Sequence, residues 1–312
     1  MHELTRQEIL KHVGCIEQIG GIRNFTFSDG LSKGVHGIEI NTGVIRFTIL
    51  PDRCMDIAQA FYKERAVSWI SKTGIVAPEY YEPESKGFLR SFYGGLITTC
   101  GLKNIGRPTK ECGLHGRIGN LPAQKVSIFA DWIEDDYIMK ISGEMRESAA
   151  LGENLVLKRT ITTKLFSDEF TLEDVVVNEG FSEEDFALCY HCNFGYPLVR
   201  EGAIVVGVPE EVAKITKPAC NAEEECIPLN YASDFATVGI ENDDIGAYIT
   251  YNTDIMRDFI LWKMLKEGDY AVGLEPRTTA LGGQNIIDNR AFITARPFEE
   301  YKTKLTFKFK LL

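Results

Sequence analysis

The chain has 312 residues, 44% of them hydrophobic and 25% charged, a composition that fits a folded globular protein and excludes a disordered one. Its formal net charge of −11 leaves no basic footprint for nucleic acid or an anionic membrane surface, so neither is expected as a partner. No apolar run approaches the ~20 residues of a membrane helix, and Met1-His2-Glu3-Leu4-Thr5 does not read as a signal peptide.

At the N-terminus Thr5-x-x-Glu8 is a capping box and Gly14 a stop, which predicts a short helix over about Arg6 to Val13 within an N-terminal extension of residues 1–20. Short alternating runs follow. Val35 to Asn41 and Val44 to Leu50 flank Thr42-Gly43, a hairpin signal. Val126 to Ile133 and Tyr137 to Ser142 flank Glu134-Asp135-Asp136, and Leu155 to Leu165 and Glu169 to Asn178 flank Phe166-Ser167-Asp168. Ala203 to Val208, Ala247 to Tyr251, Phe259 to Met264, Ala291 to Ala295 and Thr303 to Leu311 continue the pattern. Many short strands with frequent turns predict an all-β antiparallel sandwich or barrel, and the absence of a linker favours one domain over 1–312.

Residues 68–120 break this rhythm and read as a long irregular connection, a common place for function. It closes on Gly113-Leu114-His115-Gly116-Arg117, where a backbone that comes close to a ligand would sit.

Two strands carry the strongest chemical signal. In Phe186 to Pro197 the bulky residues Phe186, Leu188, Tyr190 and Cys192 share one face, and Ala187, Cys189, His191 and Asn193 share the other. In Tyr270 to Pro276 the bulky set is Tyr270, Val272 and Leu274, and the other face is Ala271, Gly273 and Glu275. Small residues beside a titratable group predict cleared space above the sheet. An imidazole and a carboxylate facing that space could act as an acid/base pair near neutral pH.

Of the five His, His2, His12 and His36 lie in segments without other site signals and read as surface or structural. Cys189-x-x-Cys192 lies within a strand, so its sulfurs should point to opposite faces, which disfavours zinc or redox use. Eight cysteines follow no disulfide framework, so free thiols and a cytoplasmic location are expected. No metal-ligand spacing, Walker A or dinucleotide fingerprint is present, and neither a metal nor another cofactor is expected. Trp262 reads either as core or as a surface that stacks on a sugar. An ion pair with Asp52 or Asp56 would by itself account for Arg53.

Taken in order, Pro51-Asp52-Arg53-x-Met55-Asp56-Ile57, Phe92-Tyr93-Gly94-Gly95-Leu96, Thr99-Cys100-Gly101-Leu102, Leu114-His115-Gly116-Arg117, Asn193-Phe194-Gly195-Tyr196-Pro197-Leu198 and Gly273-Leu274-Glu275-Pro276 form a pattern. It resembles the aldose 1-epimerase-like proteins of the galactose mutarotase superfamily, in the DUF4432 branch, from about Ile45 to Leu311. The resemblance implies a large twisted antiparallel β-sandwich with a sugar site on a concave sheet face. It implies His191 as general acid, Glu275 as general base and His115 as a sugar-binding group. An Asn-Arg pair found before that His in mutarotases is not evident here; Asn104 is a partial counterpart of the Asn, and Arg53 or Arg117 could replace the Arg.

The expected substrate-binding set is thus Arg53, His115, Arg117, Asn193, Trp262 and Arg277. The expected function is cofactor-free interconversion of sugar anomers by acid/base ring opening. A non-catalytic carbohydrate-binding or sensing protein, or a sugar isomerase or lyase on the same scaffold, are the alternatives. The expected partner is a small-molecule carbohydrate, with an anionic one favoured by the three arginines Arg53, Arg117 and Arg277 as a lesser option, and a homodimer is left open.

Overall fold

The computed structural model describes residues 4–278 and 292–312. Three antiparallel sheets make up almost all the regular structure. The first runs in sequence order through Gly21–Thr26, His36–Asn41, Ile45–Leu50, Asp56–Tyr62 and Arg65–Ala66. The second has eight strands, in the order Ile204–Val206, Phe235–Glu241, Ile245–Asn252, Glu300–Leu311, Glu169–Asn178, Asn154–Lys164, Asp136–Ser148 and Gln124–Ile133. The third carries the His and Glu strands: Glu225–Asn230, Asp258–Lys266, Asp269–Arg277, Glu184–Gly195 and Ile293–Ala295 lie side by side, and Thr98–Leu102 also pairs with Glu184–Gly195. This is the mutually packed antiparallel sandwich that the alternation predicts.

Local chemistry explains the turns. Thr42 accepts the N–H groups of Val44 and Ile45 through its hydroxyl, and Gly43 takes a φ of +83°, which closes the predicted hairpin. The capping box forms as expected, with Thr5 and Glu8 each satisfying the other's backbone N–H. The helix is shorter than predicted, Arg6–Leu10, because only Ile9 in it is buried and one turn of burial does not sustain more. Glu225–Asn230 escapes sequence reading because Pro228 interrupts it; the strand tolerates the proline at the edge of its sheet. Ala291 lies outside the described residues, and the strand predicted there is seen over Ile293–Ala295. His2 also lies outside them, whereas His12 and His36 are exposed.

One buried apolar cluster draws on all three sheets, with Phe47, Phe170 and Phe307 in a stack at centroid spacings of 4.6 and 4.7 Å. A charged network is embedded in it. The fully buried Arg159 reaches Asp56 of the first sheet at 2.8 Å and Asp174 of its own sheet at 2.7 Å. Asp56 in turn accepts the backbone N–H of Thr99 at 2.8 Å, at the start of a strand paired with the His191 strand. Because every charge here has a partner, the network is tolerable in the core and costly to break.

Residues 68–120 are indeed largely irregular, with single helical turns at Pro78–Tyr80, Gly87–Arg90 and Ile118–Asn120 and the one strand Thr98–Leu102. Arg53 holds this connection together. It is 1% exposed and donates to the carbonyls of Gly119 at 2.8 Å, Val76 and Ser91 at 3.2 Å. The anticipated ion pair of Arg53 is not how the residue is used: Asp52 holds His36, and Asp56 holds Arg159 and Thr99.

Candidate active site

The two faces predicted for the His191 strand are real and both are buried. Phe186, Leu188, Tyr190 and Cys192 enter the main core, whereas Ala187 and Cys189 pack on the other side with Phe88, Phe92 and Cys100. Cys189 and Cys192 therefore point apart. The neighbouring strand obeys the same rule, with Val272 and Leu274 in the main core and Ala271 packed against Ile260 and Trp262.

Register then brings the two titratable groups together. Cys192 pairs with Leu274 and Cys189 with Arg277, which sets His191 opposite Glu275. Directly opposed residues on adjacent strands are close enough to touch. His191 Nε2 lies 3.2 Å from Glu275 Oε1, with the two residues only 4% and 6% exposed.

The space above the small residues is not empty as predicted. Trp262, from the strand on the other side of Glu275, lays its ring over Gly273: a Cβ there would come within 3.0 Å of Trp262 Cε3. Gly195 likewise admits the backbone of Trp69, whose Cα would stand 2.9 Å from an added Cβ. The small residues make room for aromatic rings. Those rings enclose His191, with centroids of Phe92, Trp262 and His115 at 5.1, 5.3 and 5.7 Å. Phe92 and Trp69 were not legible as site residues, since each arrives from the irregular connection.

Dehydration sets the protonation of the pair. Burial pushes Glu275 up to about 8, Arg277 opposing with its positive charge and Glu224 adding to the rise. Burial pulls His191 down to about 3, and the nearby His115 pulls the same way. Both shifts favour the uncharged forms, a protonated carboxyl and a neutral imidazole. Cys189 Sγ sits 3.9 Å from Glu275 Oε2.

Two polar atoms on this face have no hydrogen-bond partner among the described residues: His191 Nδ1 and Asn193 Oδ1. The amide of Asn193 is half used, its Nδ2 donating to the His191 carbonyl at 2.8 Å. Orphaned buried polar atoms are uncommon, and these two lie on the face that carries the His191–Glu275 contact.

The remaining predicted residues separate clearly. His115, at φ +59°, turns its ring into the cluster, accepts the Gly106 N–H on Nδ1 at 3.2 Å and is drawn down to about 4 by burial and by Arg277. Arg277 is buried at the end of the Glu275 strand, opposite Asp258 and Cys189. Trp262 is 7% exposed and its indole N–H donates to Glu224 at 2.8 Å. Arg117 is exposed at the surface. Arg53 has its donors on loop carbonyls, and Asn104 is likewise used within its loop, donating to the carbonyls of Arg107 and Gly113. No group of three or more His, Cys, Asp or Glu placed to hold a metal occurs among the described residues. All eight cysteines are free, with Cys54, Cys100, Cys189 and Cys192 buried and Cys15, Cys220 and Cys226 exposed. No described helix is long and apolar enough to cross a membrane.

Comparison with known proteins gives this geometry a setting. A candidate aldose 1-epimerase of Klebsiella pneumoniae superposes with a TM-score of 0.85 at 21% identity, covering 94% of this chain and 86% of that one. A galactose mutarotase-like protein of Clostridium acetobutylicum gives 0.64 at 13% identity over 95% of this chain and 100% of that one. A galactose 1-epimerase of Lactobacillus acidophilus gives 0.61 at 12% identity, over 94% and 99%. At these identities the likeness establishes the fold. No curated protein matches the chain. The family described as a domain of unknown function, DUF4432, matches residues 32–309, and the chain is a member of that family built on the galactose mutarotase-like sandwich.

Proposed function

We propose that the protein interconverts the anomers of an aldose or aldose derivative, with His191 and Glu275 as the acid/base pair. The observation that carries this reading is their 3.2 Å contact in a dehydrated aromatic enclosure. A cyclic hemiacetal has its hydroxyl and its ring oxygen on the same carbon. An acid and a base that serve both oxygens must therefore be neighbours, within hydrogen-bond reach of adjacent atoms. The pair meets that demand.

The proton balance also closes. Ring opening needs one proton taken from the anomeric hydroxyl and one given to the ring oxygen. At rest the proton sits on Glu275. Passing it along the contact to His191 Nε2 gives the carboxylate and imidazolium that the opening step uses. Glu275 then removes the hydroxyl proton while His191 protonates the ring oxygen, and the C1–O5 bond breaks as the carbonyl forms. This returns the pair to its resting state. After rotation about C1–C2, the reverse transfers close the ring on the other face. Each positioned proton transfer contributes typically ~10²–10⁴-fold.

Arg277 lends support from the side, because its charge lowers Glu275 against the effect of burial. The likeness to the epimerases named above supports the same reading. An aldose bearing a carboxylate or phosphate belongs among the substrates tried, given that cation. Saturation-transfer NMR on a panel of neutral and anionic aldoses tests the proposal. Wild type should accelerate anomer exchange for at least one sugar, and His191→Asn and Glu275→Gln should abolish it. Equal rates for all three proteins would overturn it.

A further inference from the structure

We propose that Trp69 is a sugar-stacking residue, the platform that receives the C–H face of a pyranose ring and so sets which sugars are held over the acid/base pair. The inference rests on the carbohydrate reading of the site and adds a recognition element to it.

Trp69 reaches the site by main-chain geometry. Its N–H donates to the Asn193 carbonyl at 3.0 Å, and its own carbonyl accepts the Gly95 N–H at 2.8 Å. Ser68 bridges to Phe194 and Ile70 to Gly94, so the segment runs beside the end of the His191 strand. Phe194 and Ser68 face inward, Ser68 accepting the Ala60 N–H through its hydroxyl at 2.9 Å. Trp69 consequently emerges on the face that carries His191 and Asn193.

Two glycines are shaped around it. Gly94, at φ +77°, would put a Cβ 2.6 Å from Trp69 Cε3, and Gly195 would put one 3.0 Å from Trp69 Cβ. No side chain fits at either place while Trp69 stays where it is. Its ring also packs at 5.9 Å on Trp262 and at 5.9 Å on Phe92, tilted by 54° and 58°. It thereby joins the apolar group around Ala187 and Cys189 to that around Ile260 and Ala271.

Exposure separates it from its neighbours. Phe92 and Trp262 are each only 7% exposed, whereas Trp69 is half-buried. A half-buried tryptophan on the same face as orphaned polar atoms offers what a pyranose requires: an apolar surface for its C–H face and polar groups for its rim. Aromatic rings supply contact area at a small cost in conformational freedom, which suits a fixed platform.

Methyl pyranosides separate binding from chemistry, because their blocked anomeric oxygen prevents ring opening. Methyl β-galactoside, methyl α-glucoside and methyl α-mannoside are titrated against wild type, Trp69→Phe and Trp69→Leu, with Trp132→Phe as a remote control. Binding is read by calorimetry and by tryptophan emission, and folding by the urea midpoint. The expected result is that Trp69→Phe binds nearly as wild type, while the folded Trp69→Leu binds roughly three- to tenfold more weakly. Leucine fills much of the same space, so a purely structural role would leave affinity unchanged. Equal affinity of Trp69→Leu and wild type overturns the proposal, as does failure of every pyranoside to bind wild type. Anomer exchange measured separately on free aldoses decides the proposed reaction in either case.

Discussion

The Tyr190 hydroxyl donates to Asp174 Oδ2 at 2.8 Å, on the opposite side of the sheet from its neighbour His191. One residue therefore anchors the strand in the core while the next presents the imidazole. Asp174 is held in turn by Arg159 through two hydrogen bonds, at 2.9 and 2.7 Å. Replacing Asp174 with Asn leaves Arg159 with less countercharge in the core. We expect a loss of about 3–5 kcal/mol in urea unfolding. Tyr190→Phe, which deletes one neutral donor, should cost only about 1–3 kcal/mol. A larger loss from Tyr190→Phe than from Asp174→Asn would contradict this account of the network.

Glu275 gives a pH signature. Its carboxyl titrates at about 8 when folded against 4.5 in its ordinary state. Between these values the native chain binds a proton that the unfolded chain does not, so this group makes stability fall as pH rises through that window. Glu275→Gln removes the dependence. The variant should gain on wild type as pH goes from 5 to 8, by at most about 1.4 kcal/mol per pH unit. Parallel stability curves for the two proteins would show that Glu275 titrates normally.

Arg277 should act on two neighbours in the same direction. Its cation lowers both His115 and Glu275. Replacement by Met should raise both, which imidazole and carboxyl NMR titrations can follow. A downward movement of either would mean that burial changed more than charge.

Gly273 permits a simple packing test. Alanine there would place its methyl 3.0 Å from Trp262 Cε3 and 3.2 Å from Glu275 Oε1. The ring must shift, at an expected cost of about 1–3 kcal/mol. Its movement should appear as a change in tryptophan emission. Unchanged stability and emission would place Trp262 elsewhere than over this glycine.

The thiols should divide by burial. Cys15 and Cys220 are exposed and should react readily with a thiol reagent in the native protein, whereas Cys226, also exposed, should react more slowly because partial burial pushes its thiol up to about 11. Cys54, Cys100 and Cys192, whose thiols burial pushes up, should react only on unfolding. Mass spectrometry of the labelled peptides reads the pattern directly, and rapid native labelling of Cys100 would count against the closed site.

Period-2 alternation was enough to place His191 and Glu275 on the faces of two strands turned away from the main core, because side-chain direction in a strand is a local property. That Gly195 and Gly273 lie under Trp69 and Trp262 was not legible. A missing side chain looks the same in sequence whether ligand, solvent or a distant ring takes its place. Asp56–Tyr62 was missed for a related reason: buried on both faces at most positions, it shows little alternation. The role of Arg53 was also hidden, since a carbonyl acceptor leaves no mark on residue identity. Phe92 did have a signal, the Gly94-Gly95 pair that follows it, both at φ +77°. That pair announces a backbone bend without saying which ring it serves.

The Arg53 brace has a consequence for how such a protein can change. Its guanidinium grips main-chain oxygens at Val76 and Ser91, and every amino acid carries that oxygen. The side chains at those two positions are therefore not read by the arginine. Substitutions at those two positions keep the brace's acceptors, so the path of the connection does not depend, through Arg53, on which residues stand there.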